Sequence, residues 1–229
     1  MQSSKKQASH QIVIRYTESY IHFIASQAIN GFENFCVFLN DPEVYYLSYM
    51  DNASLVVLQY PIGKFEVPAL ITEAHRSQWI SALENLPKRL EKLVCELDEA
   101  QLDTPYRTNG WTVRQVVHHL SDSHHHSYTR FKWALTEDNP VIKPYFEKEW
   151  ANLFDTRTAP IQMSIYHLKA IHFKLVYLLN GLSESQLQRT FIHPDGNEIS
   201  TVEANMGRYA WHGNHHYAHI QSLKQRMGW

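Results

Sequence analysis

The sequence predicts an all-α protein, a four-helix bundle with crossover connections, preceded by an irregular N-terminal extension. Three observations carry this reading. After Tyr60 the chain holds four long stretches whose apolar residues repeat with the helical period. Two of these stretches open on capping-box sequences. The segments joining them are long, which favours crossovers over tight hairpin loops.

Taken in order, residues 1–57 show no sustained 3.6-residue period and are broken by turn signals at Asn30-Gly31 and Asn40-Asp41-Pro42. They are set apart as an extension from residues 58–229. Tyr60 to Phe65 and Val67-Pro68 read as an extended lead-in, since proline turns its predecessor away from helix. The first helix is expected from about Thr72 to Leu97, with Trp79, Leu83, Leu86, Leu90 and Leu93 on one stripe. Pro87 falls inside it and is expected to kink or split it. The second is expected from the Thr112-x-x-Gln115 box to about Leu135, and the third from Pro160 to Leu182. The fourth is expected from a Ser200-x-x-Glu203 box to near Met227. Asp98-x-x-Gln101 and Ser183-x-x-Gln186 mark short extra helices, and His193 to Asn197 a turn.

Composition excludes several classes of function. A net charge of −2 over 229 residues offers no basic face for nucleic acid or anionic lipid. No apolar run approaches the ~20 residues that span a bilayer. Tyr20–Ile29 contains His22 and Gln27 and makes a poor signal-peptide core, so a cytoplasmic protein is expected. The two cysteines, Cys36 and Cys95, have no C-x-x-C neighbour, which argues against a disulfide framework and a thiolate zinc site. Cys95 lies on an apolar helical stripe and is expected to pack as a small hydrophobe.

Histidine is the unusual component. His212, His215, His216 and His219 crowd one helix, and His118, His119, His124, His125 and His126 another; these are nine of the chain's 15. Neutral imidazole is the commonest protein ligand for zinc-like metals, and two histidines four apart on a helix grip one ion while a neighbouring helix supplies a third. At ~100° per residue, His119 flanks the stripe of Val113, Val116, Val117, Leu120 and Phe131, whereas His118 shares a flank with Arg114, Ser121, His125 and Lys132 that reads as solvated. On the last helix His216 falls near the centre of the stripe of Val202, Tyr209, Ile220, Leu223 and Met227, with His212 about 40° away. His215 and His219 point further toward solvent. The selected ligands are therefore His119, His212 and His216. A lone histidine on an apolar face is ordinarily a satisfied core residue, and a run such as His124–His126 ordinarily a solvated face. Burying several imidazoles without partners is costly, which favours the metal reading. No H-E-x-x-H glutamate is present, which disfavours a zincin-type protease.

At these residues the chain resembles the YfiT group of the DinB-like superfamily. The matching stretches are Tyr60-Pro61-Ile62-Gly63, Leu102 to Arg107, Gly110 to Leu120, His193-Pro194-Asp195, Trp211 to Ile220, and Arg226-Met227-Gly228-Trp229. The resemblance runs from Tyr60 to Trp229 and leaves residues 1–57 outside. It implies a DinB-like four-helix bundle with one divalent metal per subunit, zinc or nickel, on the histidines that stand here as His119, His212 and His216. It further implies a metal-dependent hydrolase or a bacillithiol-using thiol S-transferase, a small-molecule substrate, and a homodimer.

Three protein ligands leave a coordination position open, as catalytic sites require. There an ion can lower the pKa of water toward ~7 for attack on an electrophile, or hold a thiol as its nucleophilic thiolate. Asp122, one turn from His118 and His119, is a candidate to orient a ligand or act as base, with a surface charge as the alternative. Arg114, Arg130 and Arg208 are candidates for an acidic substrate, each individually more typical of a solvated face. No catalytic residue is assigned. The rival to an enzyme is a metal-bound structural or small-molecule-binding bundle without catalysis, which a fourth protein ligand would favour.

Overall fold

The computed structural model describes the backbone of residues 11–14, 35–41, 44–49 and 52–229, and side chains from residue 55 onward. The chain forms two compact units, Met1–Val57 and Leu58–Trp229.

The described part of the first unit is not irregular. Strands β1 (Gln11–Ile14), β2 (Phe35–Asp41) and β3 (Val44–Tyr49) form an antiparallel sheet in the order β1-β3-β2. Val13 stands opposite Tyr46, and Val37 opposite Leu47. The signal lay in residue type rather than period: Phe35 to Leu39 and Val44 to Tyr49 are rich in β-branched and aromatic side chains, which suit a pleated surface. Asn40-Asp41 closes β2. The Asn30-Gly31 turn and the Tyr20–Ile29 run lie outside the described residues, as does the side chain of Cys36.

Helix α1 (Asn52–Gln59) runs across the boundary in sequence, and beyond it the second unit is a four-helix bundle of α2 (Glu73–Val94), α4 (Val113–Thr136), α7 (Ile161–Asn180) and α9 (Val202–Met227). Short helices α3 (Glu99–Leu102), α5 (Glu147–Ala151), α6 (Phe154–Thr158) and α8 (Glu184–Leu187), and a hairpin of β4 (Thr190–His193) with β5 (Glu198–Thr201), fill the connections. Helices α2 and α4 each pack against both α7 and α9. Thus α2 and α4, consecutive in the bundle, stand diagonally opposed, as do α7 and α9. These are the crossovers.

Reciprocal capping boxes start α2 at Thr72, α3 at Asp98, α4 at Thr112 and α8 at Ser183, satisfying N–H groups that a first turn leaves unpaired. Helix α9 is capped by Thr201, whose side chain accepts from the Ala204 amide, one residue later than the expected Ser200 box. Ser200 lies in β5, and Glu203 instead binds Arg76 and Gln188. The His193–Asn197 turn joins β4 to β5, with Gly196 at φ 77°. Cys95 is exposed just beyond α2 rather than packed, because that helix stops at Val94.

Two apolar clusters fill the bundle. One gathers Leu90, Val116, Leu120, Ile165, Leu168 and Ile220; the other Leu83, Phe131, Leu175, Met206, Tyr209 and Ala210. Between them, along α4, α7 and α9, lies a layer of buried imidazoles. Pro87 does not split α2, which runs unbroken across it. Proline lacks an N–H, so the Leu83 carbonyl one turn back loses its helical donor. His172 of α7 supplies a replacement, with Nδ1 2.5 Å from the Leu83 oxygen.

Candidate metal centre

His119 projects from α4, and His212 and His216 from successive turns of α9. One ligand atom from each of these three side chains lies within 4.8 Å of the other two. His119 Nε2 and His212 Nε2 are 3.2 Å apart. The ring centroids are separated by 4.6 Å for His212–His216 and 4.7 Å for His119–His216.

Protonation follows from the partners at the far ends of two hydrogen-bond chains. A carbonyl oxygen only accepts, so His172 Nδ1 donates to Leu83, and its Nε2 must accept. His124 Nδ1 donates to that nitrogen at 2.9 Å, and His124 Nε2 accepts from His212 Nδ1 at 3.2 Å. His212 Nε2 is thereby left with a bare lone pair. On the other side His219 Nε2 donates to the Gln59 carbonyl at 3.0 Å, and His219 Nδ1 accepts from His216 Nδ1 at 3.3 Å. His216 Nε2 is likewise bare. His119 Nδ1 meets the Tyr145 hydroxyl at 3.3 Å, which can accept from it and free the third Nε2.

Burial keeps these rings neutral. It drives His119 down to about 3, aided by the charges of His215 and His219, and lowers His212, His216 and His124 well below the usual imidazole range. His172 and His219 fall to about 4 for the same principal reason. Neutral imidazoles whose lone pairs converge repel one another unless a cation lies between them. The donor set therefore fits a divalent ion of the zinc type, with second-layer histidines fixing the tautomers of the inner ones.

The three rings open onto a cleft of about 1620 Å³ whose walls include Tyr106, Arg107, Trp111, Gln115, Arg130 and Tyr145. The Trp111 ring lies 4.6 Å from that of His119, and Tyr106 stacks on His219 at 4.0 Å.

The family model of the DinB superfamily matches residues 82–220, which span α4 and α7, the part of α2 from Ala82 onward, and α9 as far as Ile220. The chain belongs to the DinB superfamily. Relatives within it include YfiT of Bacillus subtilis, 48% identical over 76% of this chain and 98% of its own length, and an Oceanobacillus iheyensis protein, 50% identical over 75% and 98%. Both carry the provisional name of metal-dependent hydrolase. The solved structure of Bacillus subtilis YfiT, described as an unusual four-helix bundle, superposes with a TM-score of 0.74 over 76% of this chain and 99% of that one.

Within this DinB-superfamily bundle several side chains sit where helix geometry did not put them. His118, Arg114 and Ser121 are buried because α7 and the connection before it cover their flank of α4. His118 binds Ser164 and the Ala159 carbonyl, Ser121 binds His167, and Arg114 pairs with Asp103 and Glu99. His215 and His219 are buried too, His215 against Tyr60 and Trp211 and His219 under Tyr106. His124, opening the run read as solvated, is fully buried. Asp122 makes no hydrogen bond to His118 or His119; burial, with Asp155 nearby, raises it to about 6. Arg208 binds Glu198 on the hairpin. The second layer of His124, His172, His219 and Tyr145 had one sequence signal: a proline inside α2 frees a carbonyl that something must satisfy.

Proposed function

We propose that the chain is a metal-dependent enzyme that holds one divalent ion, zinc or nickel, on His119, His212 and His216, and acts on a small molecule entering the cleft. The observation that carries this reading is the convergence of three neutral imidazoles on a cleft, without a fourth histidine, cysteine or carboxylate joining the group among the described residues. A closed four-ligand set would suit a structural ion, whereas three ligands leave room for a reactant. When bound, such an ion acts as a Lewis acid and stabilises an anionic oxygen or sulfur nucleophile. The chain's own groups hold and orient. Tyr145 and His124 fix ligand rings, while Trp111 and Tyr106 shape the cleft wall.

The relatives' names favour hydrolysis. One observation favours thiol transfer: no carboxylate stands with the three imidazoles among the described residues to accept a proton from water, whereas a thiol, far more acidic than water, can release its proton to solvent as it binds. Cobalt-substituted protein separates the two. A sulfur-to-metal charge-transfer band on adding 2-mercaptoethanol, with conjugation to an electrophile, supports transfer. An unchanged spectrum with ester or amide hydrolysis supports the hydrolase. Inactivity in both assays contradicts the enzyme reading and returns the chain to a metal-binding bundle.

A further inference from the structure

Helix α4 carries two buried arginines, and the structure treats them differently. Arg114, 3% exposed, is met by the carboxylates of Asp103 and Glu99. Arg130 is 9% exposed and has no carboxylate partner among the described residues. Its Nη1 donates to the Tyr209 hydroxyl at 3.1 Å. Its Nε is shielded from solvent and has no hydrogen-bond partner. Other neighbours make the deficit sharper: His126, His193 and His212 all feel its positive charge, and none carries a compensating negative one.

A buried guanidinium is costly unless an anion or a full set of acceptors meets it. The chain supplies this for Arg114 and withholds it for Arg130, which lines the same cleft as His119, His212 and His216. Tyr209, its hydrogen-bond partner, lies 5.5 Å from His212, centroid to centroid. Arg107, on the same cleft, also has a buried Nε without a partner, its Nη1 being taken by the Thr108 carbonyl. With Nη1 of Arg130 committed to Tyr209, the Nε–Nη2 edge remains, and two parallel N–H groups on such an edge fit two oxygens of one oxyanion.

We propose that Arg130 is the anion-recognition residue of the cleft, and that the substrate carries a carboxylate or phosphate group that docks on this edge while its reactive end faces the three imidazoles. This names a substrate class for the function proposed above and rests on that reading of the cleft.

The test is calorimetric titration of acetate, and separately of inorganic phosphate, into the full chain with and without one equivalent of zinc. Wild type is expected to show saturable binding of at least one of the two, and the tighter one identifies the group. Arg130→Gln is expected to weaken that binding by about tenfold or more in both states, with zinc uptake unchanged. Arg130→Lys, which keeps the charge but not the two-pronged edge, is expected to fall between; it decides the matter if the glutamine variant fails to fold. Binding that is absent from wild type, that is unchanged in both variants, or that appears only with zinc and ignores Arg130 overturns the proposal. A chain that takes up no zinc but still binds an oxyanion through Arg130 contradicts the metal reading and not this one.

Discussion

His172 Nδ1 lies 2.5 Å from the carbonyl oxygen of Leu83, the acceptor that Pro87 leaves without a helical donor. Because that oxygen can only accept, the contact sets the proton on His172, then on His124, then on His212, and presents a bare His212 Nε2 to its two neighbours. A backbone irregularity in α2 thus reaches the candidate metal centre through two imidazoles, neither of them among the three that converge there.

The first prediction tests this chain of contacts. His124→Ala keeps His119, His212 and His216 but removes the acceptor for His212 Nδ1. Metal affinity is expected to fall about 10- to 100-fold, the usual cost of losing a group that orients a ligand. Competition with a chromophoric chelator measures it; wild-type affinity in this variant would show that the relay does not set the tautomer.

Acid should destabilise the fold. The folded-state values of His172 and His219 lie near 4, below the ordinary 6.5, so the unfolded chain binds their protons first. Stability from these groups is full above about pH 6.5 and is lost as pH falls toward 4, at roughly 1.4 kcal/mol per pH unit for each group. Urea denaturation at pH 7.5 and pH 5 is expected to show a lower midpoint at pH 5. Equal midpoints would mean that these rings are not held neutral.

Close packing beside the imidazoles depends on Gly213. A Cβ there would stand 2.4 Å from Leu86 Cδ2, and Leu86 is itself buried with nowhere to retreat. Gly213→Ala is expected to destabilise by about 1–3 kcal/mol, the cost of overpacking a core. Thermal denaturation reads it, and an unchanged transition would show that α2 and α9 part easily.

The unit Leu58–Trp229 should stand alone. It holds the bundle and all three histidines, and it retains Gln59 for His219. Relatives are matched over 98% of their own length by about three-quarters of this chain. Removing residues 1–57 is expected to leave helical circular dichroism, melting temperature and metal uptake close to those of the full chain. An unfolded truncation would place the first unit in the core.

Much of this was legible in the sequence where one residue decides one local outcome. Thr112, Asp98 and Ser183 cap the helices that their spacing announced, and the period along α4 and α9 selected His119, His212 and His216, which the fold brings together. The reading failed where a second element intervenes. Helical angles on α4 and α9 describe a helix by itself; they cannot show that Ser164 and Ala159 cover His118, or that Tyr60 and Tyr106 cover His215 and His219. For the same reason Arg130 read as a solvated charge and proved to be a buried one.

The central claim is that His119, His212 and His216 hold one divalent ion, and metal stoichiometry tests it most directly. Wild type and His216→Ala should be purified together and measured by inductively coupled plasma mass spectrometry, with circular dichroism confirming that both are folded. About one zinc or nickel ion per wild-type chain is expected, with a far lower content in the variant, because two nitrogens grip an ion much less firmly than three. Equal metal content in the two folded proteins would contradict the assignment.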